Sequence, residues 1–175
     1  MEEAKKIISE ELEALRQRII NNHVAAGQKA SGRTIDSLVI QMRDNGGTLF
    51  GRQAFGTLEA GRKAGRTPQG FVGIIKQWIK DKGLSVPSIP YIRQPSERWQ
   101  PKYSPEERGL NTLAGAIAHK IRTEGTRLFR DGGRSDIYTP EIEITKTNIN
   151  QRISVLLQAQ IMSINENISN ENANS

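Results

Sequence analysis

The residues best suited to chemistry lie in the stretch AFGTLEAGRKAGRTPQGF, which spans residues 54–71. A glycine-rich basic loop that leads into a helix can hold a phosphate through its backbone amides. The stretch contains neither the G-x-x-x-x-G-K-[ST] nor the G-x-G-x-x-G spacing of the established phosphate loops. It therefore predicts either loose phosphate binding or a loop whose charges face water or a partner. Its charged residues are Glu59, Arg62, Lys63 and Arg66.

The other titratable residues do not form a recognisable catalytic pattern. His23 and His119 fall on different predicted helices, without the carboxylate or histidine spacing of a metal site. Asp131 and Asp136 flank a Gly-Gly turn and could bind a metal in a nuclease, but no further acid clusters with them. The chain has no cysteine, which excludes thiolate ligands and nucleophiles. We therefore expect no catalytic residue, no metal and no cofactor.

The net charge of +6 is unevenly distributed along the 175 residues. Residues 43–134 contain seventeen basic and eight acidic side chains, whereas residues 135–175 contain two basic and five acidic ones. A basic middle of this kind indicates a polyanion or an acidic protein neighbour. Apolar residues make up 35% of the chain and aromatic residues 5%. The core should accordingly be thin, with some faces buried only against other chains.

The sequence gives no indication of a membrane protein. The first twenty residues are charged throughout and do not resemble a secretory signal. No apolar run reaches the roughly 18 residues that a membrane span requires. We therefore expect a soluble protein without membrane contact.

The apolar pattern predicts an α+β fold, in which a small antiparallel sheet is packed by an N-terminal helix and two or three further helices. The N-terminal helix covers residues 3–26, with Ile8, Leu12, Leu15 and Ile19 on one face. Two strands are predicted in 34–42 and 48–55, joined by a turn at 44–47. A helix then starts at Thr67-Pro68 and is capped by Gly83, and another covers 105–130 after a Ser104–Glu107 capping box. A strand within 140–145 and a last helix complete the predicted elements.

Residues 84–104 contain four prolines, two tyrosines and a tryptophan, without a visible period. They predict an extended proline-rich arm, laid either on a neighbouring subunit or around its own domain. We expect one connector-like domain over residues 1–146 that includes this arm, a C-terminal helix over 147–166 and a polar disordered tail over 167–175. Aromatic residues of the arm are candidate contacts, namely Tyr91, Trp99 and Tyr103.

The order of these motifs resembles the tail-completion and head–tail connector proteins of long-tailed bacteriophages, also called neck or minor tail proteins. In that family a small-Gly-basic step leads into a strand, as Ser31-Gly32-Arg33 here leads to Asp36-Ser37-Leu38. An aromatic residue and then a glutamate before a glycine follow in the family, and are matched by Phe55, Leu58, Glu59 and Gly61. The resemblance covers roughly residues 5–145.

The resemblance implies a structural virion protein that forms a ring of six or twelve copies at the portal–tail junction, without catalysis. Such a protein is made in the host cytoplasm and contacts neighbouring portal, adaptor and tail proteins, with possible non-specific contact to packaged DNA. The predicted subunit or DNA contacts are Glu59, Arg62, Lys63, Arg66, Tyr91, Trp99 and Tyr103. The alternative is a non-enzymatic DNA-binding accessory protein that uses the basic middle, with its aromatic residues as stacking groups.

Overall fold

The computed structural model describes residues 2–92 and 101–173, with side chains described as far as residue 169. The elements divide into two compact units: unit 1 comprises residues 1–27, 34–55 and 135–175, and unit 2 comprises residues 28–33 and 56–134. In chain order they are α1 (Glu2–Ala25), α2 (Arg33–Asp36), β1 (Val39–Arg43), β2 (Gly46–Phe50), a 3₁₀ turn (Gln53–Gly56), α3 (Thr57–Ala60), α4 (Phe71–Asp81), α5 (Pro105–Glu124), α6 (Arg127–Arg130) and α7 (Thr139–Ala173).

The described residues are mostly helical, and their sheet is a single antiparallel hairpin. Its register runs from the pair Val39–Phe50 to the pair Arg43–Gly46, which leaves Asp44 and Asn45 as a two-residue turn. The predicted turn is therefore confirmed at Asp44 and Asn45, whereas Gly46 and Gly47 belong to β2. Both strands are shorter than expected, because residues 33–36 form a helical turn and β2 ends immediately before Gly51.

In unit 1 the hairpin packs on α1. A Cβ atom built on Gly47 would lie 2.5 Å from Cδ1 of Leu12 and 3.3 Å from Cγ2 of Ile8, so the backbone of β2 rests directly on the helix. The predicted apolar face of α1 is confirmed, since Leu12, Leu15 and Ile19 are buried. Leu38 and Ile137 are the other buried apolar residues of unit 1 among those described.

A ladder of polar contacts joins α1 to the first half of α7. Nε of Arg18 donates to Oε2 of Glu141 at 2.7 Å, and Nη2 donates to Oγ1 of Thr145 at 2.7 Å. Nδ2 of Asn22 donates to Oε1 of Glu141 at 3.0 Å and to the carbonyl of Ile137 at 3.3 Å. Because partners earlier on α1 lie later on α7, the two helices are antiparallel.

The next rung of this ladder contains the buried carboxylate of Glu11. Its oxygens accept from Nη1 of Arg152 at 2.9 Å and from Nδ2 of Asn148 at 3.2 Å, and Nη2 of Arg152 donates to Glu10 at 2.6 Å. Burial by itself raises the pKa of Glu11. The hydrogen bonds from Arg152 and Asn148, with the charges of Arg152 and Arg18, outweigh burial and hold that pKa below its ordinary value of 4.5.

The strand predicted within residues 140–145 is wrong, because these residues form the first turns of α7. Glu141 and Thr145 are four residues apart and meet the same arginine, Arg18, which requires the helical period. The helix also continues through the predicted boundary at 146 and into the predicted tail as far as Ala173. Residues 141–173 contain neither glycine nor proline, so no residue with a strong tendency to end a helix interrupts it.

Unit 2 is organised around the pairing of α4 with α5. Its buried cluster consists of Ile75 and Ile79 from α4 with Ala114 and Ala118 from α5. The two alanines let the helices approach closely, and larger apolar side chains surround the contact. These partly buried residues are Phe71, Val86, Leu110, Leu113, Ile117 and Ile121, which confirms the predicted inward face of the helix that starts at residue 105.

A glycine with a positive φ angle lies at each end of α4. The helix begins at Phe71 rather than at the predicted Thr67-Pro68, because Gly70 adopts a left-handed φ of 71° and the chain turns there first. At the other end Gly83 has a φ of 61°, its amide donates to the carbonyl of Lys80, and the next amide donates to the carbonyl of Ile79. Gly83 therefore ends the helix as predicted.

The predicted start of α5 is confirmed, but its predicted end is wrong. Ser104 and Glu107 form the reciprocal capping box, with Pro105 in the first turn. The helix ends at Glu124, because Gly125 has a φ of 83°. Thr126 then caps the short helix α6, so the expected single helix over 105–130 is two helices.

The described part of the proline-rich segment lies on its own unit. The amide of Ile89 donates to the carbonyl of Pro105 at 2.9 Å, and a Cβ atom on Gly109 would lie 1.7 Å from the carbonyl oxygen of Pro87. This segment therefore lies on its own unit, and the described residues show no arm of the kind predicted. Residues 93–100, with Trp99, lie outside the described part of the chain.

Replacing Glu11 with glutamine should make unit 1 less stable at neutral pH, by roughly 1 kcal/mol for a lost charge-assisted pair. Because the folded pKa of Glu11 is below 4.5, its stabilising effect is present above pH 4.5 and is lost as the pH falls through the folded pKa. Urea unfolding of the wild type and Glu11→Gln across this range should show a difference that shrinks towards acid. Glu13→Gln, which removes an exposed carboxylate on the same helix, is the control. A constant difference at every pH would contradict this account.

Two glycines of α5 should respond in opposite ways to the same substitution. Gly109→Ala should destabilise the protein by about 1–3 kcal/mol, because the new methyl group overlaps the backbone of Pro87. Gly115→Ala should stabilise it by about 0.5–1 kcal/mol, since nothing lies within 4 Å and alanine favours the helix. Thermal unfolding measures both variants. Equal stability of the two would show that residues 84–92 do not rest on α5.

Candidate interaction surface

The glycine-rich stretch contains a loop, residues 61–66, whose backbone is bonded to the junction of α5 and α6. The amide of Gly65 donates to the carbonyl of Arg122 at 2.8 Å, and the amide of Thr126 donates to the carbonyl of Arg62 at 2.9 Å. The amide of Arg62 donates in turn to Oγ1 of Thr126 at 2.9 Å. We call residues 61–66 the basic loop. These bonds hold it in one position on unit 2.

The glycines on either side of this contact allow the two backbones to approach. A Cβ atom on Gly61 would lie 2.4 Å from the amide nitrogen of Phe129, and one on Gly125 would lie 2.7 Å from the carbonyl oxygen of Arg62. Both glycines also have positive φ angles, 69° and 83°. Glycine is required here for close packing of the loop on its own unit.

The same hydrogen bonds argue against a phosphate cradle. The amides of Gly61, Arg62 and Gly65 all donate to acceptors within unit 2. The following helix, α4, begins only at Phe71, so residues 65–67 are not at its N-terminus. A phosphate-binding loop needs free backbone amides that converge on one point. The loop is therefore better suited to presenting its side chains than its backbone.

Glu59 lies in the interior of unit 2, with 5% of its surface exposed. Its carbonyl accepts from the amide of Arg134 at 2.9 Å, and a Cβ atom on Gly133 would lie 3.0 Å from that carbonyl oxygen. These contacts pack α3 against the end of α6. A partner could not reach Glu59 in this structure, so its position favours a structural part in holding the loop.

The cations of the basic loop differ in what they do. Arg62 is half-buried: Nη2 donates to the carbonyl of Arg66 at 2.9 Å, and its guanidinium lies 5.5 Å from the ring centroid of Phe71. Lys63 and Arg66 are exposed and form no ion pair with any described residue. Arg62 thus stiffens the loop, while Lys63 and Arg66 remain available to a partner.

The backbone of Arg122 lies against the basic loop, because its carbonyl accepts the Gly65 amide next to Arg66. Its side chain is exposed and is not paired with a carboxylate in the described part of the chain. We call Lys63, Arg66 and Arg122 the basic surface. Other cations of α5 and α6 have a carboxylate partner, in the pairs Lys120–Glu124, Arg130–Glu124 and Arg127–Asp131.

The two compact units differ in charge. Unit 2 contains seventeen basic and seven acidic residues, a net charge of +10, whereas unit 1 contains eight basic and twelve acidic residues, a net charge of −4. The basic excess of the sequence therefore belongs to one folded unit. A surface of this sign attracts acidic proteins and nucleic acids.

The aromatic residues of the predicted contact set lie on the segment before α5, not in the basic loop. The guanidinium of Arg108 lies 5.2 Å from the ring centroid of Tyr91, and Nζ of Lys102 lies 5.4 Å from that of Tyr103. Tyr103 is 45% exposed. Trp99 lies outside the described residues. The described contacts do not join these rings to Lys63 or Arg66.

Sequence reasoning missed Arg122 and Thr126. Thr126 accepts from the amides of Arg62 and Phe129, so a single hydroxyl caps α6 and fixes the basic loop. The local signal was the pair Gly125-Thr126, since a glycine followed by threonine is typical of one helix ending and another beginning. No local signal showed that residues 61–66, which lie about 60 residues earlier in the chain, would contact Thr126.

The described residues contain neither a group of at least three His, Cys, Asp or Glu placed to hold a metal ion nor a helix with the length and hydrophobicity of a membrane span. His23 is buried in α1 and His119 is exposed on α5.

The free energy of unfolding should respond differently to a change in the packing of the basic loop and to a change in its charges. Gly61→Ala should destabilise the protein by roughly 2–3 kcal/mol, because the residue has a positive φ and its Cβ would meet the backbone of Phe129. The double change Lys63→Glu and Arg66→Glu should alter stability by less than about 0.5 kcal/mol, since both side chains are exposed. Urea unfolding measures both. A large loss in the charge variant would show that the two cations serve the fold.

Comparisons of this chain with protein-family models, with curated proteins and with solved structures find no match. The resemblance to head–tail connectors thus rests on the short motifs of residues 31–61 and on the order of the elements.

Proposed function

We propose that this protein is a structural virion protein that forms an oligomeric ring at the portal–tail junction of a long-tailed bacteriophage. The observation that carries the proposal is the distribution of apolar side chains. Among the described residues nine apolar side chains are buried, whereas eighteen large ones are exposed. Exposed apolar surface on this scale is typical of a subunit whose faces are covered on assembly.

The basic surface supplies the second support. Lys63 and Arg66 lie on a loop that backbone hydrogen bonds hold in place, and Arg122 lies on the adjoining helix α5. All three belong to a unit with a net charge of +10. In a connector such a surface would face acidic groups of a neighbouring portal, adaptor or tail protein, or packaged DNA. The role is structural, and no residue acts as a catalyst.

The ring would contain six or twelve copies, assembled from chains made in the host cytoplasm. Residues 84–92 lie on their own unit, so this part of the proline-rich segment stabilises the subunit in the proposal. Tyr103, which is 45% exposed, remains a candidate contact with a neighbour. Tyr91 and Trp99 keep their place as sequence-based candidates.

A non-enzymatic DNA-binding accessory protein is the second candidate, favoured by the same three unpaired cations. Phosphate contacts would make its DNA affinity fall steeply with salt concentration. The two functions predict different locations of the chain, since a connector is part of the mature particle in a fixed number of copies.

Copy number in purified particles tests the proposal directly. Quantitative mass spectrometry of particles of the phage that encodes this chain should give about six or twelve copies per portal, as a closed ring requires. The variant Lys63→Glu with Arg66→Glu should reduce infectious particles by about tenfold or more while the free subunit stays folded. We prefer this pair to any change of Arg62, because Arg62 also bonds within its own loop.

Lys6→Glu with Arg43→Glu is the matched control. It makes the same change in charge at exposed residues of unit 1 and should leave particle yield unaffected. Absence of the chain from particles would contradict the connector proposal. If the Lys63 and Arg66 variant then also lost salt-dependent DNA binding, the accessory function would be favoured.

A further inference from the structure

The second half of α7 presents an apolar stripe to solvent. Leu157, Ile161, Ile164 and Ile168 are exposed by 51%, 57%, 56% and 51%. They follow one another at intervals of four, three and four residues, which is the spacing of the two apolar positions in a coiled-coil heptad. We call these four residues the α7 stripe.

The opposite side of α7 is already occupied by α1. Thr145 and Arg152, which contact α1, lie roughly 140° around the helix axis from the stripe at 100° per residue. Asn148 is on the same α1-facing side. The packing within unit 1 therefore uses one face of α7 and leaves the stripe free on the other.

The helix also extends past its partner. Arg152 meets Glu10 and Glu11, so in an antiparallel pair the first residue of α1, Glu2, is level with about residue 161. The last twelve residues of α7 then project beyond α1 over roughly 18 Å. Ile164 and Ile168 lie on this projecting part and have no partner from α1.

The charges around the stripe suit a second copy of the same helix. Residues 153–170 contain one charged side chain, Glu166, which occupies the heptad position farthest from the stripe. The positions that flank a coiled-coil seam are instead occupied by uncharged amides, namely Gln158, Gln160, Asn165 and Asn167. Identical helices would therefore meet without like-charge repulsion, and amide side chains can hydrogen-bond to one another across the seam. A charged partner helix would find no complementary charge here.

We infer that α7 helices from two or more copies of this chain associate through Leu157, Ile161, Ile164 and Ile168 as a short coiled coil. Two heptads bury less surface than a stable standalone interface usually needs, so the contact adds to other contacts in an assembly. The inference goes beyond the proposed place in a virion. It holds for any assembly of this chain, and it identifies one contact that copies in a ring would share.

The test uses the purified full-length chain and measures its mass by sedimentation velocity over a range of concentrations. The wild type should form dimers or larger species as its concentration rises. Ile161→Asn with Ile164→Asn should weaken this association by about tenfold or more. The matched control, Val155→Asn with Met162→Asn, removes apolar residues that are 61% and 65% exposed on another face of α7, and should associate like the wild type.

Cross-linking keeps the inference testable if asparagine disturbs the helix. The chain has no cysteine, so Ile161→Cys with Ile164→Cys introduces the only thiols and should give covalent dimers on mild oxidation in either helix orientation. Val155→Cys with Met162→Cys should give few. A wild-type chain that stays monomeric, or a control pair that loses association or cross-links equally well, would overturn the inference. Neither result depends on copy number in particles, which tests the proposed function separately.

Discussion

The antiparallel pairing of α1 with α7 is the interaction on which unit 1 depends. The unit is assembled from three separate stretches of chain, and the last of them is connected to α1 by side-chain contacts far apart in sequence. Much of the specificity is polar, since Glu11 and Thr145 are buried and each is hydrogen-bonded across the interface. Buried polar groups cost free energy unless every partner is in place. One register of α1 against α7 satisfies these contacts, and this register fixes the position of α7 along α1.

This pairing also decides which surfaces remain for assembly. Because α1 packs on one side of α7 and its first residue is level with about residue 161, the α7 stripe and the last turns of α7 face solvent. The hydrogen bonds between α1 and α7 are made by Arg18, Asn22 and Arg152 with their acceptors, whereas the α7 stripe lies on the other side of the helix. Unit 1 thus combines a small apolar core around Leu12, Leu15 and Ile19 with polar contacts that set the register of α1 on α7, and it leaves further apolar side chains of α7 exposed.

Unit 2 separates folding from recognition in a different way. The basic loop is held by backbone hydrogen bonds and by glycines that permit close approach, so its exposed side chains are not needed to keep it in place. The side chains of Lys63 and Arg66 are consequently available for binding, whereas the packing of the loop requires the residue types at Gly61, Gly125 and Thr126. A loop of this construction loses little conformational entropy on binding, because it is ordered beforehand.

Local sequence determined the features whose causes lie within a few residues: the amphipathic α1, the turn at Asp44-Asn45, the Ser104–Glu107 capping box and the cap at Gly83. In each case propensity, periodicity or a neighbouring hydrogen bond is sufficient. Only the tertiary structure brings Arg18, more than 120 residues away, onto the helical face that carries Glu141 and Thr145. It likewise brings the glycine-rich stretch to Arg122 and Thr126, which bond to its backbone at Gly65 and Arg62. The acceptors of the Gly65 and Arg62 amides lie about 60 residues further along the chain, and no local sequence pattern shows that they will be near.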